Sequence, residues 1–306
     1  MSDDKDDSKK AFDLGEYIRE CRPSLSDGSV KTYKNVLKNL YTSIFGSDEF
    51  NPNRLFSEYI KVLKFLNTVK FNVRKTILSA LICISNGQKA HIIKKYRDLM
   101  IDDCEKYNHL EAQHKLTPEQ KEAWMTWAEV IKLVDKLKLK VNYIFDEPNP
   151  SKKELLNLQE YIIALCYTMM PPRRSTDWTQ MKLKNFERTT DNYYNKGIFY
   201  FNKFKNSKVI GSKSIECPPA FKRILTKWIK IIGDREYLFN TSDDKPLTSV
   251  NMTKILNNVF KKRISVNMLR HIFLSSAFGP ELKKMEKIAS EMSHSLSQQK
   301  LYIKFD

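Results

Sequence analysis

Apolar residues recur at helical spacing through almost the whole of this 306-residue chain and abandon that spacing in one stretch, residues 197–218. There Ile198-Phe-Tyr-Phe201 is a run of β-favouring side chains. Lysine-rich polar residues and Gly211 follow, then Ser214-Ile-Glu-Cys217 ahead of Pro218-Pro219, and the whole reads as a hairpin. A chain patterned in this way is expected to be mainly α with a small antiparallel β-sheet. Only eight glycines occur, and none stands in a G-x-x-x-x-G-K-[ST] pattern, which excludes a nucleotide-binding phosphate loop.

The helical pattern divides the chain. Residues 1–10 are polar, charged and without periodicity, so a disordered tip is expected. Residues 11–107 read as a small all-helical domain. One helix starts near Ser29 with Val30, Tyr33, Val36, Leu37, Leu40 and Ile44 on its apolar face and stops at Gly46. A second covers residues 54–66 with Phe56, Tyr59, Ile60, Leu63 and Leu66 inward. A third covers 72–85, where Arg74 and Lys75 share a segment with Ile77, Leu78, Leu81 and Ile82, and a fourth runs from 90 into Tyr107. Residues 108–116 are mostly polar and read as a linker to a second domain, 117–306. Thr117-Pro-Glu-Gln120 has the form of a capping box with proline in the first turn, opening a helix that carries Trp124, Trp127, Val130, Ile131 and Val134. After a break at 146–150, helices are expected to about Thr168 and over 220–232, 250–262, 268–277 and 282–292.

The formal charge of +17 points to a polyanionic partner. It is uneven. Residues 1–115 hold 20 Lys/Arg against 16 Asp/Glu, and residues 116–306 hold 33 against 20, so the second domain carries most of the excess. Five cysteines without paired spacing fit a reducing compartment and no disulfide framework. Cys104, His109 and His114 lack a fourth neighbouring Cys or His, so zinc is not expected. Neither a signal peptide nor a membrane-spanning run is present in the sequence, and an intracellular location, cytoplasm or host nucleus, is expected.

The second domain also carries an ordered set of phosphate-handling residues. Arg174 comes first, then Lys203, Lys205 and Lys208, then Arg270 in Asn267-Met-Leu-Arg-His271, His294 in Met292-Ser-His-Ser295, and Tyr302. Arginine forks suit non-bridging phosphate oxygens. A lysine can protonate a leaving oxygen, and a tyrosine hydroxyl beside positive charge can attack phosphorus. No step in that chemistry needs a metal or nucleotide cofactor.

With these motifs in this order, residues 116–306 resemble the catalytic domain of the tyrosine recombinase superfamily, the integrases and resolvases of phages, viruses and mobile elements. Arg174-Ser-Thr-Asp-Trp-Thr-Gln-Met181 is similar to the family's first-arginine box, with Asp177 in the acidic position; that spacing favours Arg174 over Arg173. Residues 25–33 look like the start of the family's core-binding DNA domain. The resemblance implies site-specific DNA cleavage and rejoining through a 3′-phosphotyrosyl intermediate, on double-stranded DNA, in a homotetramer, without ATP, Mg²⁺ or a membrane. It implies Tyr302 as nucleophile, Arg174 and Arg270 as phosphate clamps, His294 as a phosphate donor, and a hairpin lysine as general acid. Lys205 is preferred for that last role, with Lys203 and Lys208 open.

Three departures from the family pattern stand out. Asn267 occupies a position where the family carries His or Lys, and asparagine can donate a hydrogen bond but cannot shuttle a proton. Ser293 replaces the usual glycine before the histidine. The interval from His294 to Tyr302 is about one residue short. His271 is expected to sit in the core or to support the site from behind Arg270, not to act in catalysis. Four residues follow Tyr302, so tetramer contacts are expected from elsewhere. A type IB topoisomerase and a catalytically silent DNA-binding relative are the alternative readings.

Overall fold

The protein is described here from a computed structural model that covers residues 12–47 and 49–304; the tip expected at 1–10 lies outside the described residues. The chain is mainly α-helical with one three-stranded antiparallel sheet. It divides into two compact units, Met1–Lys115 and Leu116–Asp306.

The first unit is built of helices α1 (Leu14–Cys21), α2 (Asp27–Phe45), α3 (Arg54–Ser57), α4 (Tyr59–Leu66), α5 (Phe71–Cys83) and α6 (Ala90–Glu111). Asp13 caps α1 by accepting from the Gly15 and Glu16 amides. Helix α2 begins earlier than the expected Ser29, because Ser26 supplies the cap and accepts from the Ser29 amide. It ends at Gly46, whose φ of +64° is the left-handed turn that glycine adopts most readily. The expected 54–66 helix is broken at Glu58, and Ile60, expected to point inward, is exposed while Leu55 and Val62 are buried. Helix α6 continues to Glu111, beyond the expected start of the linker.

The core of this unit joins Leu37, Leu55, Leu66, Leu78, Leu81 and Tyr96, all buried. Tyr96 Oη donates to the Leu55 carbonyl at 2.8 Å, which satisfies its one polar atom inside that core. Arg74 and Asp103 form a buried two-point ion pair joining α5 to α6, with Asp103 wholly shielded from solvent.

In the second unit Thr117 and Gln120 form the expected capping box, but it opens only a short helix, α7 (Pro118–Ala123). A second box, Thr126 with Glu129, starts α8 (Trp127–Val141). The pattern was read as one helix; Trp124 instead adopts an extended backbone, and the chain turns before re-entering helix. A short 3₁₀ turn leads to α9 (Lys152–Thr168), the most deeply buried helix, packed on α8, on α12 (Pro219–Ile232) and on α13 (Ser249–Phe260).

The sheet is β1 (Tyr193–Asn195), β2 (Ile198–Phe201) and β3 (Lys213–Glu216), in that order. The hairpin read from sequence is β2–β3; β1 was not foreseen. Lys196 (φ +49°) and Gly197 (φ +91°) make the two-residue turn between β1 and β2, with both φ values positive as a hairpin of that length demands. A Cβ on Gly197 would also collide with the Lys222 side chain.

Between α9 and the sheet lies α10 (Ser175–Thr179), and between β2 and β3 lies the short α11 (Ser207–Ile210). Trp178 of α10 is fully buried and meets Phe199 and Phe201 of β2 edge-on at 5.1 and 5.4 Å, fixing the helix after Arg174 against the sheet.

The C-terminal part departs most from expectation. Residues 266–291 form one helix, α14 (Val266–Glu291), which runs straight through Gly279-Pro280 where two helices were expected. Proline removes one amide and crowds the carbonyl four residues back, here that of Ser276. Ser276 is exposed, so water can satisfy that carbonyl. Helix α15 (Leu296–Tyr302) follows.

Candidate active site

Arg174 is the N-cap residue of α10. Its backbone is extended, and its guanidinium, which carries donors only, makes no capping bond. It lines an open cleft of about 790 Å³ with Lys203, Lys205, Lys182, Thr248 and Ser249. Lys182 is neutralised within the cleft by Asp191 and Glu236, at 3.0 and 3.3 Å, and its pKa is raised, mainly by the Asp191 hydrogen bond. Lys203 and Lys205 follow β2 and are exposed at the rim. Lys208 lies on α11 and is not part of the cleft lining.

The neighbouring arginine has a different job. Arg173 pairs with the buried Asp177 at 2.9 Å and lies over the Phe201 ring at 3.8 Å. Burial raises the Asp177 pKa against the opposing pull of Arg173, and burial lowers that of Arg173. For both partners desolvation outweighs the attraction between them. The positive charges of Arg174 and Arg270 also lower the Arg173 pKa, so each of them lies within electrostatic reach of Arg173. Spacing to Asp177 alone favoured Arg174 as the phosphate ligand. The structure has Arg173 bonding Asp177 and Arg174 facing the cleft.

Arg270 occupies the second turn of α14, half-buried, on a helix start capped by Ser265. Asn267 is exposed one turn earlier. His271 is exposed, which excludes the core placement, because Met268, Leu269 and Ile272 take the buried face of the helix.

His294 and Tyr302 are neighbours in space, with ring centroids 5.6 Å apart. His294 Nε2 is shielded from solvent and has no hydrogen-bond partner among the described residues. Tyr302 is 65% exposed. Ser293 turns the chain between α14 and α15 with φ +56°, and the His294 amide donates to the Ala289 carbonyl at 3.0 Å. A glycine would adopt that backbone without strain.

The site residues thus form two groups. Arg174, Lys203 and Lys205 share the cleft, with Arg270 near enough for its charge to act on Arg173; His294 and Tyr302 share the far end of α14. Twenty-one residues separate Arg270 from Glu291, about 30 Å of helix at 1.5 Å per residue. Past Phe273 the helix carries exposed Leu274, Phe278 and Ile288, and α15 has no buried residue.

Sequence reasoning missed Asn192, which is buried beside the cleft and hydrogen-bonds the backbone on both sides of it. No residue-type pattern marks an asparagine of this kind; only the strand β1 that follows it would have drawn attention there.

Among the described residues no group of three His, Cys, Asp or Glu side chains could hold a metal ion, and no helix is long and apolar enough to cross a membrane. No family model matches the sequence, and no curated protein matches it significantly. Among solved structures, the crystal structure of XerA recombinase aligns with 96% of this chain and 94% of its own, at 13% identity and a TM-score of 0.36, a likeness too distant to carry an argument.

Proposed function

We propose that this protein cleaves and rejoins double-stranded DNA through a covalent tyrosyl intermediate, as a site-specific recombinase. The observation that carries this reading is that Arg174 and, from a separate segment, Lys203 and Lys205 line one open cleft, with Arg270 in electrostatic reach of the neighbouring Arg173. Those cations suit a phosphodiester. The excess of positive charge in residues 116–306 suits the backbone on either side of it.

In the proposed reaction Tyr302 Oη bonds to phosphorus as the bond from phosphorus to the 5′ oxygen breaks. The phenol proton passes to water, and a lysine of the loop after β2 gives its proton to the departing oxygen. Arg174 and Arg270 hold the equatorial oxygens, where charge builds up, with His294 as a further donor. Asn267, exposed one turn before Arg270, adds a neutral hydrogen bond. One phosphodiester is exchanged for another, so the reverse attack by a new 5′ hydroxyl joins new partners without ATP.

Tyr302 does not reach the cleft in the conformation described. Either α14 bends near Gly279-Pro280 when DNA binds, or Tyr302 enters the cleft of a neighbouring copy. The second route accords with the proposed tetramer and with the apolar residues exposed along the arm.

The test is covalent trapping. Wild type and Tyr302→Phe are incubated in EDTA with a random pool of duplexes and with supercoiled plasmid, and then quenched with SDS. Adducts on particular sequences that vanish in Tyr302→Phe, with DNA binding retained, are expected. Relaxation of every plasmid would point to a topoisomerase instead, and binding without any adduct to a silent relative.

A further inference from the structure

Asn192 directly precedes β1 and is 5% exposed. Its carboxamide uses both donors and both acceptor positions on backbone. Nδ2 donates to the carbonyls of Asp177 (3.1 Å) and Lys203 (2.9 Å), while Oδ1 accepts from the amides of Asn202 (2.9 Å) and Lys203 (2.8 Å). An asparagine side chain has no further capacity. Although it borders the cleft, it has nothing left with which to hold a substrate.

Its four partners tie two segments together. Asp177 lies three residues after Arg174, in the helix anchored by Trp178. Lys203 lies just past β2, and both its N–H and its C=O are held by this one side chain. Asn202 adds a second tie, donating from Nδ2 to the carbonyls of Arg188 and Asp191 at 2.8 and 2.7 Å. Lys205 sits two residues further on, in the turn that leads to α11, beyond the reach of these bonds.

We propose that Asn192 is a positioning residue that fixes the backbone of Lys203 relative to the arginine-bearing helix, so that Lys203 is the lysine that protonates the leaving 5′ oxygen. This rests on the strand-transfer reading above and narrows its general acid from two lysines to one. In that step an Nζ–H bond breaks and an O5′–H bond forms as the bond between phosphorus and O5′ is lost, leaving a neutral amine that water reprotonates. A backbone free to drift at Lys203 would misplace that proton while leaving the arginine clamp intact.

The test replaces the leaving oxygen. A duplex recovered by wild-type trapping is prepared with its ordinary scissile phosphate and with sulfur in place of the bridging 5′ oxygen. Sulfur departs as a thiolate and needs no proton. Single-turnover cleavage by Asn192→Ala is expected to fall roughly 10²-fold on the ordinary duplex, the scale of a lost general acid. The loss should be far smaller on the sulfur duplex, with duplex affinity unchanged. Because removing a buried carboxamide also loosens the fold, the exposed truncation Lys203→Ala carries the same test and should show the same selective rescue, whereas Lys205→Ala should show none. Equal losses on both duplexes, full activity of Asn192→Ala, or rescue of Lys205→Ala in place of Lys203→Ala would overturn the assignment. If the wild type forms no adduct on any duplex, the strand-transfer reading falls and this role with it. Wild-type adducts with equal losses in the variants sink only the assignment of Lys203 and its positioning by Asn192.

Discussion

Asp103→Ala should unfold the first unit selectively. The Asp103 carboxylate is fully shielded and takes two hydrogen bonds from Arg74, from Nε at 2.7 Å and from Nη2 at 2.5 Å, while Arg74 Nη1 reaches the Leu66 carbonyl. Truncating the acid leaves a guanidinium that is 9% exposed with one carbonyl for company. Removing one partner of a buried pair in this way costs about 3–5 kcal/mol. That is a large share of the ~5–15 kcal/mol that a domain has in total. For a unit of this size it corresponds to a drop in midpoint of roughly 12–40 °C. All four tryptophans, Trp124, Trp127, Trp178 and Trp228, lie in the second unit, so their fluorescence does not report on the first. Thermal melts followed by far-UV circular dichroism should therefore split into an early transition, absent from the fluorescence trace, and a later one that coincides with it. The double variant Arg74→Met with Asp103→Leu, which removes both charges and keeps the volume, should recover most of the loss. A cost below ~1 kcal/mol for Asp103→Ala, or a double variant no better than the single one, would refute the claim that an uncompensated buried charge is what the single variant creates.

The turn before His294 offers a second test. Ser293→Gly removes a side chain from a left-handed backbone that costs roughly 1 kcal/mol for an L-residue, and exchange of the His294 amide should slow about fivefold; faster exchange would show that Ser293 is not strained. The third concerns pH. Because burial raises the Asp177 pKa, the folded chain holds that proton more tightly than the unfolded one. The resulting stability is fully present below the ordinary carboxylate value and is lost as pH rises through the raised one. The stability of wild type relative to Asp177→Asn, followed by tryptophan fluorescence, should thus be more favourable near pH 4 than near pH 7, and a flat or reversed trend would contradict the balance between burial and pairing.

The elements legible in the sequence are those whose signals are local. Ser151 with Glu154 and Thr248 with Asn251 cap α9 and α13 by side chains three residues apart, and the apolar spacing that follows marks both helices. The β-favouring run at 198–201 marked the sheet. What escaped depends on partners far along the chain. The extended Trp124 that splits the second unit's first helical pattern packs against that unit's core, and the partner that buries Arg74, Asp103, lies 29 residues on. Of the site, the order of residue types could be read, but the spacing to Asp177 that favoured Arg174 is taken up in the structure by Arg173. Which lysines reach the cleft could not be read, because a loop's course is set by a buried asparagine that carries no pattern of its own. Nor could the distance to Tyr302, since a proline in a solvated helix reads as a stop and here is passed over.

On the proposed strand-transfer reading, that long helix changes what limits the rate. With Tyr302 beyond the end of a helix that runs about 30 Å past Arg270, the resting protein would hold DNA for long periods without cutting it, and the wait before cutting would be a wait for an encounter. If α14 folds back on itself, the wait is independent of how many molecules are present. If a second copy supplies the tyrosine, the wait shortens in proportion to concentration, and a lone molecule on DNA stays inert. A strand-breaking enzyme built in the second way would be silent wherever it is scarce.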